Sequence, residues 1–395
     1  MRITRVMYGW AVGAVMVIGA SLATAQVLPS APYYTNTVNL TGASLKAALH
    51  YDIKGNTVIS YTPTRSVLAV IDRDTQTSTN LILIYSGFLL ATNKFTVTGG
   101  DTGTWNREHM FPESYGMNVD PQRSDLFNLR ACDTSVNGTR GNLYYDTSTV
   151  PSNTLTDAPG SSYDGDSWEP RDGDKGFVAR ACFYITTRYD GTGGDTNLLL
   201  SDTPNSGAGT FAKLSTLLAW NRRFPPTDWE RTRNGLICQN YQFNRNPFID
   251  NPDFADMVFL GVDGSTAWQG THFTTAELTD TNISGATADP DGDGVPNLAE
   301  YALGHDPHAA EASTIQSLTT QTVDGTNYLY LIHHKNHYAS GVTFTYQTST
   351  DLFSWTDGTV EVLSTTQIDP QKDLVSVRFP ADTNAFFVRF KVTQP

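Results

Sequence analysis

A change in residue pattern near position 282 limits the possible folds of this 395-residue sequence more than any other feature. Upstream, helical patches such as 40–50 alternate with short apolar runs such as 81–85, which indicates mixed helix and strand structure. Downstream, apolar and polar residues alternate between turn residues, for example at 327–333, as in half-buried strands. The pattern predicts an α+β chain with a mixed domain, a linker and a small all-β sandwich, over residues 26–282, 283–310 and 311–395.

The first 25 residues have the pattern of a signal peptide. Arg2 and Arg5 give a positive start, residues 6–22 are apolar, and Ala-Thr-Ala at 23–25 offers a cleavage site. A transmembrane anchor is the alternative, but the apolar run is near the lower length limit for a span and has no charged stop on its far side. We therefore expect cleavage and export to the periplasm or the medium, with no stable membrane insertion.

The charge balance argues against strong unspecific adhesion to nucleic acid. Lys and Arg number 26 against 40 Asp and Glu, a formal net charge of −14, and loss of Arg2 and Arg5 gives 24 against 40, or −16. A large negative charge repels phosphate groups. A local basic groove can still bind them, and residues 213–245 hold six basic residues against two acidic ones.

The three cysteines do not define a site. Cys132, Cys182 and Cys238 match no zinc spacing, and an odd number leaves at least one thiol free or paired between chains. Export permits a disulfide, but small buried apolar side chains are the simpler interpretation.

The residues that carry chemistry lie between positions 105 and 142. Residues 105–112 read Trp-Asn-Arg-Glu-His-Met-Phe-Pro, and Asn137 follows in a second stretch. Phosphodiester hydrolysis needs water deprotonated near neutral pH, which suits histidine, and a hard cation held by carboxylate or amide oxygens. On an extended segment Glu108 and His109 point to opposite faces, so one can hold a metal ion while the other holds water. Each residue also has a structural interpretation, and Asn137 begins an Asn-Gly-Thr sequon.

Several ordered blocks resemble the endonuclease I family, whose members are extracellular or periplasmic nucleases with a ββα-metal, or His-Me finger, active site. The similarity spans most of residues 40–260, and it rests on six blocks: 107–112, 125–130, 136–142, 168–189, 218–221 and 244–252. Two departures concern the site's surroundings. The family commonly has His where this chain has Phe127, and Pro-Ala where it has Ala131 and Cys132.

The resemblance implies that His109 is a general base and that Glu108 and Asn137 are ligands of one Mg²⁺ or Mn²⁺ ion. The base would activate water for in-line attack, and cleavage would leave a 5′-phosphate. Arginine suits phosphate because its planar fork can grip two oxygens, although each candidate can equally be a structural ion-pair partner. The candidate phosphate contacts are Arg107, Arg130, Arg140 and Arg245.

The segment from Asp289 to Glu300 matches the twelve-residue calcium loop of an EF-hand at every ligand position. The predicted Ca²⁺ ligands are Asp289, Asp291, Asp293, the Val295 carbonyl, Asn297 and Glu300. A solvated acidic linker is the alternative. The upstream sequence is too rich in Gly and Thr for an entering helix, so the segment resembles solitary dockerin-like or thrombospondin type 3-like calcium loops. A short helix is expected over 297–303, closed by Gly304.

Two functions are compatible with these patterns. The first is a secreted endonuclease that hydrolyses DNA, with RNA as a further candidate substrate, and has little sequence specificity. The second is an inactive nuclease-like protein that acts at a surface through its C-terminal domain. The intact set of Glu108, His109 and Asn137 favours the first.

Overall fold

A computed structural model describes most of the chain, in these ranges: residues 33–34, 36–77, 79–97, 103–151, 153–204, 209–310, 315–369, 371–381 and 386–394. The expected signal peptide at 1–25 lies outside them. Among the described helices, none is both long and apolar enough to cross a membrane. The described residues divide into two compact units, one that ends at Val262 and one that begins at Asp263.

The first unit mixes helices with small sheets. Its helices are α1 (Gly42–Ile53), α2 (Thr64–Ile71), α3 (Thr134–Arg140), α4 (Asp172–Arg188), α5 (Leu214–Arg223), α6 (Asp228–Asn240), α7 (Pro247–Asp250) and α8 (Phe254–Phe259). Its strands are β1 (Asn80–Ile82), β2 (Leu89–Ala91), β3 (Trp105–His109), β4 (Leu129–Asp133), β5 (Tyr144–Tyr145), β6 (Thr154–Leu155), β7 (Ala158–Tyr163) and β8 (Ser167–Glu169). Their order in the sheets is β1-β2, β3-β4 and β5-β8-β7-β6.

Helix α4 is the central element of this unit. It is buried along almost its whole length because α1, α5 and α7 pack against it. Gly176 permits this packing, since a Cβ there would collide with the carbonyl oxygen of Phe224. The same carbonyl accepts a hydrogen bond from Arg180, whose guanidinium also forms a buried ion pair with Glu230 at 2.7 Å. The helix therefore fixes the position of the chain that follows α5.

Strands β3 and β4 and helix α3 form a ββα unit. The strands are antiparallel, with Glu108 opposite Arg130 and His109 opposite Leu129. Asp133 ends β4 and caps α3, because its carboxylate accepts the backbone N–H groups of Ser135 and Val136. The α+β fold class is thus confirmed, and the element order in this region is the one that the resemblance implies.

The second unit is a β-sandwich with short helices before it. The helices are α9 (Gly264–His272), α10 (Thr281–Ser284) and α11 (Asn297–Leu303). The strands are β9 (Ile315–Val323), β10 (Thr326–Asn336), β11 (Thr343–Ser349), β12 (Thr356–Asp357), β13 (Glu361–Gln367), β14 (Lys372–Pro380) and β15 (Phe387–Thr393). Two antiparallel sheets, ordered β13-β14-β10-β9 and β12-β11-β15, enclose a core that includes Leu331, Phe379 and Phe390. Ala302 and Leu303 of α11 belong to the same core.

The division between the units falls after Val262, whereas the residue pattern placed the end of the nuclease domain near 282. Helix α9 belongs to the second unit because Trp268 and Phe273 pack with Tyr301 of α11. The Gly- and Thr-rich stretch near 279–288 therefore lies within that unit. The three cysteines are free thiols, and Cys132 and Cys182 are buried.

Candidate active site

Strand β3 presents two different faces because side chains alternate along a strand. Asn106 and Glu108 lie on one face, and Arg107 and His109 lie on the other. The first face meets helix α3, since Asn137 donates a hydrogen bond to Asn106 Oδ1 at 2.7 Å. The strand thus separates an oxygen-rich face from a face that carries a histidine and a cation.

A hydrogen bond determines the tautomer of His109. Its Nε2 lies 2.9 Å from the backbone carbonyl of Arg123, and a carbonyl oxygen only accepts. The proton is therefore on Nε2, and Nδ1 carries the lone pair that can accept a proton from water. The ring also stacks on Tyr61, with centroids 5.5 Å apart, and Glu113 lies 3.4 Å from Nε2. Burial lowers the pKa of His109, while Glu113 opposes this shift, so the imidazole is neutral near pH 7 and its Nδ1 lone pair is free of a proton.

Glu108 is a buried carboxylate held by two donors. Its Oε1 accepts the hydroxyl of Tyr85 at 2.6 Å and lies 3.2 Å from the guanidinium of Arg140. Burial raises the pKa of Glu108, and Arg140 and the Tyr85 hydroxyl oppose that shift. Tyr85 and Arg140 both use Oε1, and the backbone N–H of His109 also donates to this carboxylate, so Oε2 keeps lone pairs that can bind a cation.

Tyr85 reaches Glu108 from a strained backbone position. Its φ is 71°, in the left-handed region that a residue with a large side chain rarely adopts. Two partners hold it there, because Asp174 accepts its N–H at 2.9 Å and Ser161 donates to its carbonyl at 2.9 Å. Tyr145 lies 2.6 Å from the Tyr85 hydroxyl and is the donor of this pair, since Tyr85 gives its proton to Glu108. Backbone strain of this kind is common at active sites, where it holds a side chain in the orientation that the site requires.

Asn137 supplies a second oxygen on the face of Glu108. Its amide nitrogen donates to Asn106 Oδ1 and, at 3.1 Å, to the backbone carbonyl of Arg107. Both donor positions are used within β3, so Oδ1 is the part of the amide left for a ligand. A carboxylate oxygen and an amide oxygen are hard donors of the type that Mg²⁺ and Mn²⁺ prefer. The residues present therefore suit a divalent cation.

Three of the four arginines expected at phosphate groups are instead buried in ion pairs. Arg130 binds Asp72 at 3.0 Å, Arg140 binds Glu108, and Arg245 binds Asp250 at 2.6 Å. None of the three side chains is more than 2% exposed. Such groups can reach a substrate phosphate only if the ion pairs break, so their role as phosphate contacts stays a prediction. Arg107 differs, since it is half-buried and, within the described ranges, donates to Tyr61 and Thr64 and to no carboxylate.

The basic stretch at 213–245 does not form an open groove either. Four of its six cations are paired with carboxylates in the described structure: Lys213 with Asp146, Arg222 with Asp256, Arg233 with Asp72 and Arg245 with Asp250. The positive charge near His109 comes from other residues. Arg107 and Arg123 lie over the ring of Tyr61, with the guanidinium carbons 3.6 and 3.9 Å from its centroid.

Sequence reasoning missed Tyr61, Tyr85 and Arg123. Tyr61 and Tyr85 lie upstream of the motif that carries Glu108 and His109, and no short-range spacing connects them to it. Arg123 lies in the loop between β3 and β4, and it acts on His109 through its backbone carbonyl, which any residue type offers. Of these three residues, Arg123 alone had a weak signal, as a basic residue close to the block at 125–130 that resembles the family.

The two departures from the family pattern lie in the core. Phe127 is buried, and its ring centroid is 4.6 Å from that of Tyr184. Cys132 is buried in β4, opposite Asn106. Both positions are filled by apolar packing, and neither side chain replaces Glu108, His109 or Asn137.

The acidic loop brings three carboxylates together. One oxygen from each of Asp289, Asp291 and Asp293 lies within 4.8 Å of the others. Asn297 donates to the carbonyls of Ile283 and Gly285, and its buried Oδ1 has no hydrogen-bond partner in the described part of the chain. The predicted helix is confirmed as α11, which ends at Leu303 before Gly304, a residue with φ of 72°.

Comparison with known proteins places the ββα unit in a family. A sequence profile of the family described as Endonuclease I matches residues 41–253. An extracellular ribonuclease of Bacillus subtilis (strain 168) is 41% identical over 241 residues, which cover 58% of this chain and 81% of the relative. An extracellular ribonuclease of Bacillus amyloliquefaciens is 42% identical over 241 residues, which cover 60% of this chain and 81% of the relative. The chain therefore belongs to the endonuclease I family.

Proposed function

We propose that this protein is a secreted, metal-dependent endonuclease that hydrolyses RNA and DNA with little sequence specificity and leaves 5′-phosphate ends. His109 is the general base, and Glu108 and Asn137 hold one Mg²⁺ or Mn²⁺ ion. The observation that carries the proposal is the hydrogen bond from His109 Nε2 to the Arg123 carbonyl, which turns Nδ1 into the proton acceptor. Family membership supports nucleic acid as the substrate.

The chain's own residues divide the work between the two faces of β3. His109 Nδ1 takes the proton of the attacking water, and Tyr61 and the Arg123 carbonyl keep the ring in place. On the other face, Tyr85 and Arg140 hold Glu108 Oε1, so that Oε2 and the Asn137 oxygen can bind the cation. The bound cation supplies positive charge where negative charge develops on the phosphate and the leaving oxygen.

A water nucleophile has a consequence for the substrate. It makes the 2′-hydroxyl of RNA unnecessary, so DNA is expected to be cleaved as well. The names of the two Bacillus relatives, both extracellular ribonucleases, support RNA as a substrate. The same names, together with the signal-like residues 1–25, support secretion.

The test compares three single strands of one sequence: RNA, DNA and RNA with 2′-O-methyl groups throughout. We expect purified protein to cleave all three in Mg²⁺, to leave 5′-phosphates, and to lose activity in EDTA. His109→Ala should reduce the rate by about 10²–10⁴-fold on each strand, because a general base contributes to this extent. The control is Lys54→Ala, an exposed change at the end of α1. Asn128→Ala is unsuitable because the Asn128 side chain hydrogen-bonds Phe111 and so connects the loop after β3 to the start of β4.

Two results would contradict the proposal. The first is cleavage of RNA alone with cyclic 2′,3′-phosphate ends, which would mean that the 2′-hydroxyl is the nucleophile. The second is wild-type activity in the folded His109→Ala protein. Absence of cleavage on every strand, in Mg²⁺ and in Mn²⁺, would favour the inactive surface protein.

We also propose that the loop from Asp289 to Glu300 binds Ca²⁺ and stiffens the segment before the sandwich. The filled ligand positions support this, as do buried oxygens of Asp291 and Asn297 that have no hydrogen-bond partner among the residues the structure describes. Without a cation the aspartates repel one another, and bound calcium stabilises the ordered loop in proportion to RT ln(1 + [L]/Kd). Nuclease chemistry is assigned to the unit that ends at Val262, so calcium in this loop should leave it unchanged.

A further inference from the structure

Positive charge accumulates on the His109 face of β3. The guanidinium of Arg107 lies between two rings, 3.6 Å from the centroid of Tyr61 and 5.6 Å from that of Phe95. Arg123 lies 3.9 Å from Tyr61, and Arg65 lies 5.6 Å from Phe95. Arginines and aromatic rings therefore alternate in one row, which begins at Arg65 and ends at Arg123 beside His109.

This arginine row has too few counter-charges of its own. Among the described residues, Glu113 is the one carboxylate in ion-pair contact with it, at 2.8 Å from Arg123. The pKa of Arg107 is lowered, first by burial and then by the positive charges of Arg123 and Arg65. The three arginines lie close together and repel one another. The chain as a whole has a net charge of −14, so its carboxylates lie mostly elsewhere. Such an arrangement is stabilised when an external anion joins it.

The contrast with the buried arginines makes the same point. Arg130, Arg140 and Arg245 each meet a carboxylate inside the fold, so their charge is already compensated. Arg65 is exposed, and the side chain of Arg123 is 38% exposed. Arg65 and Arg123 are thus accessible, and Glu113 is the one carboxylate paired with the three arginines in the described part of the chain.

We propose that Arg65, Arg107 and Arg123 bind successive phosphodiester groups of the substrate strand on one side of the scissile bond. The inference rests on the proposed function, because the location of the row is defined by its contact with His109 through Tyr61. Guanidinium groups can grip two phosphate oxygens at once, which suits this ligand. Phosphate contacts carry no base information, so the row contributes affinity and register without sequence preference.

Tyr61 acts as a positioning residue. Its ring contacts Arg107, Arg123 and His109, and its backbone carbonyl accepts Arg107 Nη1 at 2.6 Å. The aromatic face attracts both guanidiniums by cation–π interaction, which holds two like charges side by side. Removal of the ring should therefore weaken two phosphate contacts, while removal of the hydroxyl alone, which hydrogen-bonds Arg123, should leave the contact through Arg107 intact.

The test is the salt dependence of cleavage of a single-stranded DNA by the full chain. Arg65→Gln and Arg123→Gln should each raise KM more than they lower kcat. Each should also reduce the slope of log kcat/KM against log salt by about 0.7, the value for one phosphate contact on a single strand. Tyr61→Leu should reduce the slope by about twice that amount, and Tyr61→Phe, which keeps the ring but loses the hydrogen bond to Arg123, should reduce it by clearly less. Lys54→Gln removes an exposed cation over Tyr51, outside the row, and is the matched control.

The inference is overturned if Arg65→Gln and Arg123→Gln keep the wild-type slope, or if Lys54→Gln reduces the slope as much as they do. Arg65 is exposed, so its variant should fold, and a melting curve checks this. If the row fails but His109→Ala is inactive on all strands, the proposed function stands without it. If His109→Ala remains fully active, the proposed function fails whatever the slopes are.

Discussion

Replacement of Arg140 by methionine should unfold the nuclease unit at a clearly lower temperature. Arg140 is 1% exposed and forms the ion pair that compensates the buried charge of Glu108. Its two terminal nitrogens also donate to the carbonyls of His109, at 3.0 Å, and Met110. A methionine fills similar space but leaves a buried carboxylate and two buried carbonyls without their donor.

The loss of unfolding free energy can be estimated from these contacts. Breaking one side of a buried ion pair costs about 3–5 kcal/mol, because the remaining charge is uncompensated. For a unit of this size each kcal/mol lowers Tm by roughly 2–4 °C, which gives a drop of roughly 6–20 °C. Thermal unfolding should be followed in EDTA, since a cation on Glu108 would take over part of the compensation.

Two further variants make the reasoning refutable. Adding Glu108→Gln to Arg140→Met should recover much of the lost Tm, because replacing both partners removes the unpaired charge. Arg140→Lys should lose less than Arg140→Met, since an ammonium keeps the charge but cannot bridge both carbonyls. If Arg140→Met melts like the wild type and shows only a raised KM, Arg140 is a phosphate contact and the structural reading is wrong.

Three other outcomes are expected. Tyr85→Phe removes one hydrogen-bond donor from Glu108 Oε1. The Mg²⁺ concentration for half-maximal activity should therefore rise by about 10–100-fold in a titration. An unchanged titration would show that Glu108 is not a ligand. Asn137→Ala should likewise shift the Mg²⁺ titration, whereas the exposed change Lys54→Ala should not. A protease should cut the chain near 285–305 when calcium is removed. Calcium should protect the wild type but not Asp293→Ala. Equal behaviour of both proteins would mean that the loop is an acidic spacer that does not bind calcium.

Local patterns predicted the parts of the fold that depend on neighbours in the sequence. Alternation identified the C-terminal sandwich, and the loop-closing Gly304 identified the end of α11. The extended stretch through Glu108 and His109 is β3, with the alternation of faces that the proposed chemistry requires. The endonuclease I resemblance was confirmed for the same reason, because its blocks are contiguous motifs.

Distant partners explain what the sequence could not predict. Asp72 lies 58 residues before Arg130 and 161 before Arg233, yet it binds both, and no local pattern distinguishes such arginines from exposed ones. The division between the units differs from the boundary expected near 282, because Trp268 and Phe273 pack with Tyr301, which lies beyond the linker-like stretch. Tyr61 and Tyr85 were missed because only the folded chain brings them to β3.

The two kinds of arginine should respond differently to salt. Exposed charges are screened within a Debye length, about 10 Å at 0.1 M salt and about 3 Å at 1 M, while buried pairs are screened much less. Arg130 and Arg233 on Asp72 hold β4 and α6 together inside the fold, and Arg65 and Arg123 are exposed beside the site. We therefore expect kcat/KM to fall steeply between 0.05 and 0.5 M salt, about a hundredfold for three phosphate contacts on a single strand. Over the same range the melting temperature of the nuclease unit should change little. If activity and Tm fall in parallel, the buried ion pairs are accessible to salt, and loss of the fold rather than loss of substrate binding explains the loss of activity.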